Sequence, residues 1–173
     1  MKKLTLKDMV IFSFLGALMF ASKKFMEFLP NIHPLGMFTM LFAVTFRKKG
    51  IFPVLVYILL EGLFAGFSIW WIPYIYLWPL LFGVTLLLPK NMPAKVAIPV
   101  HMIVCGLHGL LFGTLYAPFQ ALAFGLSFKG TLAWIVAGFP WDCIHAAGNI
   151  VFGSLIYPFS KLLKKCYNQT QIS

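Results

Sequence analysis

Residues Phe119–Phe139 read FQALAFGLSFKGTLAWIVAGF, and whether they cross a bilayer decides how the whole chain is threaded. The stretch is apolar enough for a span, but Gly125, Ser127, Lys129 and Gly130 interrupt it. On both sides the chain alternates apolar runs with breaker and basic clusters: Pro30-Asn31-Ile32-His33-Pro34, Arg47-Lys48-Lys49-Gly50, Pro89-Lys90 and Tyr116-Ala117-Pro118. These divide it into spans at about 8–28, 35–46, 51–69, 72–88, 96–115 and 140–163, with 116–139 as an outer-side apolar segment. Pro140 is placed at a helix start, where proline is tolerated. The run 35–46 is short against the ~20 residues a bilayer needs, so it is expected to sit askew or lean on its neighbours.

Charge parity chooses the threading. With six spans, Lys2, Lys3, Lys7, Arg47, Lys48, Lys49, Lys90, Lys95, Lys161, Lys164 and Lys165 share one side, and Lys23, Lys24 and Lys129 face the other. A seventh span would move Lys161, Lys164 and Lys165 outside, against the positive-inside rule. The expected fold is an all-α integral membrane protein, a six-transmembrane-helix bundle with both termini cytoplasmic.

Composition agrees. Of 173 residues, 61% are apolar and 10% charged, where a soluble domain carries about 25% charged; mean hydropathy is +0.89. That leaves room for a single membrane domain, residues 1–173, and none for a soluble catalytic domain. The net charge of +10 sits at span ends, so lipid head groups, and not nucleic acid, are the expected counter-charge. Cys105, Cys143 and Cys166 lack metal-site spacing and are expected to be free thiols. Met1-Lys2-Lys3 before an apolar run resembles a secretory signal, but Lys23-Lys24 and equally apolar runs follow, so a retained first helix is expected.

An ionisable residue within a span is costly and is by default a functional hypothesis. Glu61 is expected about 12 Å below the outer end of its span and His108 about 10 Å. Asp142, His145 and Asn149 recur at i, i+3, i+7 and share one helical face, at depths of about 3 to 13 Å. Helix-to-helix polar contacts alone would explain one or two of these; the whole set points to a pocket. Trp70, Trp71, Tyr74, Tyr76 and Trp78 thicken the same level, either as an interfacial belt or, in part, as walls for a flat ligand. Small residues recur four apart at Ala17/Ala21, Gly62/Gly66 and Gly109/Gly113, which lets helices approach closely. There is no H-E-x-x-H, G-x-S-x-G, P-loop or cysteine-based metal motif, so no enzyme activity, bound cofactor or metal is expected.

The basic N-terminus leading to Ala17 and Ala21, the loop Leu29-Pro30-Asn31-Ile32-His33, and Leu60-Glu61-Gly62 with Trp70-Trp71 form a familiar set. With the run from Phe139 to Asn149, FPWDCIHAAGN, the chain resembles the substrate-binding S components of energy-coupling factor (ECF) transporters. That resemblance spans essentially the whole chain. It implies capture of a vitamin or related micronutrient from outside, in the plasma membrane of a bacterium. It also implies docking through Ala17 and Ala21 onto a transmembrane coupling subunit driven by two cytoplasmic ATPases, which use the ATP. By the same likeness Asn31 and His33 belong to a lid, and Trp71, Asp142, His145 and Asn149 line the pocket; Glu61, Tyr74 and His108 complete the candidate substrate-binding set. Two other readings stand beside it: a helical membrane scaffold or assembly subunit, and an intramembrane enzyme using Asp142 and His145.

Overall fold

A computed structural model describes the backbone of residues 4–172 and side chains through residue 169; Lys2 and Lys3 of the charge count lie outside the described residues. All regular structure among these is helical: α1 (Leu6–Phe25), α2 (Leu35–Phe46), α3 (Ile51–Ala65), α4 (Tyr74–Leu87), α5 (Ala94–Leu110), α6 (Phe112–Phe124), α7 (Phe128–Gly153) and α8 (Ile156–Ile172), with 3-10 turns at Arg47–Gly50 and Ile69–Trp71.

Helix α1 starts on a capping box. The Asp8 amide donates to Thr5 Oγ1 at 3.1 Å and the Thr5 amide to Asp8 Oδ2 at 3.2 Å, which pairs two amides no helical turn can reach. Phe12, Leu15, Gly16 and Met19 form its buried face. A Cβ on Gly16 would lie 2.6 Å from Val56 and 2.8 Å from the Pro53 carbonyl, so the missing side chain is what seats α1 on α3. The opposite face, with Val10, Phe14, Ala17, Leu18 and Ala21, is exposed.

The short α2 is the central strut. Residues Leu35–Met37 and Thr39–Ala43 are buried, and it packs on α4, α8 and the following 3-10 turn. Arg47 ends it with φ 54, an uncommon backbone for a non-glycine residue, and its guanidinium donates to the Leu86 carbonyl at 2.6 Å. At the same end Lys49 donates to Asp8 at 2.7 Å, and the Tyr167 hydroxyl donates to the other Asp8 oxygen. These contacts tie α1, α2, α4 and α8 together at one pole, called the basic end below.

Helices α5 and α6 form an almost continuous rod, turned slightly at Leu111, that runs antiparallel to α7. Gly125, at φ 64, makes the left-handed turn between them, and Ser127 caps α7 by accepting the Gly130 amide at 3.2 Å. Residues 119–139 are therefore not one outer segment: they are the end of α6, a tight turn and the first half of α7. Nor does Pro140 open a helix, because α7 carries it in its interior. An interior proline costs about 3 kcal/mol; α7 withstands this because α5 and α6 support it on both sides of position 140.

Among the described residues three stretches are long and apolar enough to cross a membrane: Ile69–Leu87, Ala94–Phe124 and Phe128–Gly153. The distribution of polarity suits lipid. Leu87 and Leu122 are 85% exposed, while Glu61, His145 and Asn149 are buried. Large apolar side chains face out along most helices, around an interior that is itself largely apolar but encloses a few buried ionisable groups.

Candidate functional site

At the end opposite Asp8, helical spacing gathers polar side chains around one indole. Tyr74 and Trp78 are four apart on α4, Tyr57 and Glu61 four apart on α3, and His108 and Phe112 flank the α5–α6 bend; each pair shares a face. Trp78, 1% exposed, has ring neighbours His108 at 5.6 Å, Phe112 at 5.7 Å, Tyr74 at 5.9 Å, and His33 and Tyr57 at 6.2 Å. From α7, His145 lies 4.8 Å from the His33 ring and 5.0 Å from Phe112. His33 enters from the 26–34 loop. Asn31 there is exposed, at φ 58.

One turn along α7 from His145, Asn149 is wholly buried and donates from Nδ2 to the Cys105 carbonyl at 3.1 Å. Helices α5 and α7 meet tightly there: a Cβ on Gly109 would be 2.9 Å from the Ala146 nitrogen and 2.8 Å from Asn149 Nδ2. Of the repeats of small residues, Gly109/Gly113 is thus a true contact face, whereas Gly66, at φ 89 with open space around it, serves the end of α3.

The unpaired atoms are the most informative. His33 Nδ1, Tyr57 Oη, Glu61 Oε2, Trp78 Nε1, His108 Nδ1, His145 Nε2 and Asn149 Oδ1 are buried without a hydrogen-bond partner. Each such atom costs about 1–3 kcal/mol, and folded proteins keep them few. His33, Tyr57, Trp78, His108 and His145 cluster, with Glu61 beyond Tyr57 and Asn149 one turn from His145, and the atoms mix kinds: the indole only donates, Asn149 Oδ1 and Glu61 Oε2 only accept, and imidazole and phenol can do either. A compact molecule with both donors and acceptors would satisfy them.

The predicted residues divide. His33, Tyr74 and His108 come together around Trp78, His145 joins them through His33 and Phe112, and Asn149 lies one turn further along α7. Glu61 stands beyond Tyr57 and is ion-paired with Lys23, with Lys24 at 3.5 Å. Its partner is thus a lysine and not an imidazole, and Lys23 lies 6.0 Å from the Tyr74 ring centre. Asp142 spends both oxygens on the Gly113 amide at 3.1 Å. Trp71 donates to the Ile58 carbonyl at 2.8 Å and meets Phe67 edge to face, apart from the rings around Trp78. Trp78 and Tyr57 are the residues the candidate set missed; the i, i+4 step from Tyr74 and from Glu61 would have found them. Phe112 and Lys23 had no such signal.

The cluster is closed by ring-to-ring packing. A cavity of about 430 Å³ lies at the basic end, and a shallow apolar groove of about 440 Å³ runs past Ala21, Met37, Phe152 and Phe159; neither is lined by any of the nine predicted binding residues. Among the described residues no three His, Cys, Asp or Glu side chains gather as a metal site. Cys105 is buried and Cys143 and Cys166 are exposed, all as free thiols. Compared with known proteins, the chain matches no family model, no curated protein and no solved structure.

Proposed function

We propose that the chain is the substrate-binding S component of an ECF-type importer in a bacterial plasma membrane. It takes up a vitamin or related micronutrient from outside and passes it inward with a coupling subunit and two ATPases. The observation that carries this reading is the set of unpaired buried donors and acceptors at and around Trp78, drawn from four helices and the 26–34 loop. A membrane protein keeps such groups out of lipid and puts them to use. His33 on its loop supplies the movable wall through which a ligand enters the closed cluster.

The threading proposed with it has six spans and both termini cytoplasmic. Support comes from the basic end, where Lys49, Arg47 and Tyr167 all join contacts that bring the chain's positive clusters to one pole. The cluster lies near the other pole: Asp8 and Lys23 are 15 residues apart on α1, about 22 Å. The exposure of Ala17 and Ala21 supports docking of the coupling subunit along that face.

Closed packing of the rings favours a second reading, a helical scaffold subunit. Mass spectrometry of small molecules extracted from the purified full chain separates the two. An importer component retains a donor- and acceptor-rich organic molecule; a scaffold retains none and binds no vitamin offered at micromolar concentration.

A further inference from the structure

The cavity at the basic end is separate from the Trp78 cluster and has its own chemistry. Arg47, Lys90, Lys161 and Lys164 line it, Ser160 and His101 are among its other polar lining residues, and no carboxylate lines it. His101 is 1% exposed, and both of its ring nitrogens lack a hydrogen-bond partner. A buried imidazole with neither nitrogen paired is uncommon in a finished interior, and this one borders the cavity.

The cations are crowded. Burial, together with Lys161 and Arg47, holds the Lys164 ammonium below its ordinary range, so like charges face one another with partial screening only. Arg47 uses one bond on the Leu86 carbonyl, which leaves further donors of its fork. Arginine and lysine around a small cavity match the oxygens of phosphate, and basic pockets between membrane helices receive phosphorylated head groups. We infer that this cavity binds a phosphate group, held by Arg47, Lys90, Lys161 and Lys164 with His101 as the buried hydrogen-bonding partner.

Two sources carry that group, a phospholipid head group and a soluble phosphate, and one experiment separates them. The full-length protein is purified in mixed micelles containing phosphatidylglycerol or phosphatidylcholine. Retained lipid is read by intact-mass spectrometry, with and without millimolar inorganic phosphate. Preferred retention of phosphatidylglycerol that phosphate does not displace assigns the cavity to lipid. Displacement, together with a rise in unfolding temperature on adding phosphate, assigns it to a soluble phosphate. The pair Lys90→Gln/Lys161→Gln, on exposed side chains, lowers the occupied fraction about fivefold or more, a change of about 1 kcal/mol. Lys161→Gln alone moves it in the same direction if the pair does not fold. Lys95→Gln/Lys165→Gln removes equal charge outside the cavity and leaves binding unchanged. Equal loss in that control, or no response to either probe in the wild type, overturns the assignment.

Discussion

Asp142 on α7 holds the Gly113 amide with both carboxylate oxygens at 3.1 Å, at the bend where α5 gives way to α6. The carboxylate caps a fresh helix start in mid-rod, where an amide has no turn before it to bond. A Cβ on Gly113 would fall 2.5 Å from Asp142 Oδ2, so glycine is what lets the carboxylate approach.

Asp142→Ala leaves that amide unpaired and is expected to lower stability by about 1–2 kcal/mol. Asp142→Asn, which keeps one acceptor, recovers most of the loss. Unfolding of the detergent-solubilised protein, followed by circular dichroism, measures both.

Two glycines give a matched test of packing. Gly109→Ala forces a methyl against the Ala146 backbone, at 2.9 Å, and is expected to cost about 2 kcal/mol or more. Gly83→Ala meets nothing within 4 Å and is expected to stabilise α4 slightly, by about 0.5 kcal/mol. Unfolding temperatures of the two variants should move in opposite directions.

For the proposed ligand, His145→Ala and Asn149→Ala are each expected to weaken binding more than tenfold, or about 1.4 kcal/mol. Trp71→Phe, at a side chain outside the cluster, is expected to bind within threefold of wild type once folded. Equilibrium dialysis with the molecule identified by mass spectrometry reads all three; unchanged binding in His145→Ala and Asn149→Ala removes the cluster from the proposal.

Docking and capture are separable on α1. Ala17 is exposed and touches none of the cluster, so Ala17→Trp is expected to abolish co-purification with the coupling subunit while ligand affinity stays at the wild-type level. Loss of both properties at once would assign the effect to misfolding.

Tyr167 gives an alkaline signature. Burial, with its bond to the Asp8 carboxylate, pushes its hydroxyl up to about 12 from an ordinary value of 10.0. A folded value above the unfolded one means the stabilisation is fully present below pH 10 and disappears as the pH rises through 12. The stability difference between wild type and Tyr167→Phe should therefore shrink across that window, in step with tyrosinate absorbance.

Much of the fold was legible because lipid and helix impose simple periodicities. The bounds of α2 at 35 and 46 follow from Pro34 and Arg47, and the i, i+3, i+7 step on α7 placed Asp142, His145 and Asn149 on one buried face. Position 140 misled because proline usually marks a helix start, whereas here support from α5 and α6 outweighs one lost hydrogen bond. Lys129 and Gly130 looked like breakers, yet they fall in the first turn of α7, where the Ser127 cap absorbs them. The Lys23–Glu61 pair was out of reach: it joins residues 38 apart, and no spacing rule connects α1 to α3. Asp142 reads as a pocket wall in the sequence because nothing in its context shows that a bend 29 residues earlier, at Gly113, needs an acceptor.

The α5–α6 rod has a consequence for the bilayer around it. Its 31 residues measure about 46 Å end to end, and a tilt of about 40° still leaves about 35 Å to fit a hydrocarbon slab of about 30 Å. In the proposed membrane setting the surplus overhangs, and the end of the rod with the turn into α7 bears Leu122, Phe124 and Phe128, all well exposed. Hydrophobic mismatch thus acts as a gauge: thick, sterol-like membranes swallow the tip, and thin ones strand three greasy side chains among the head groups.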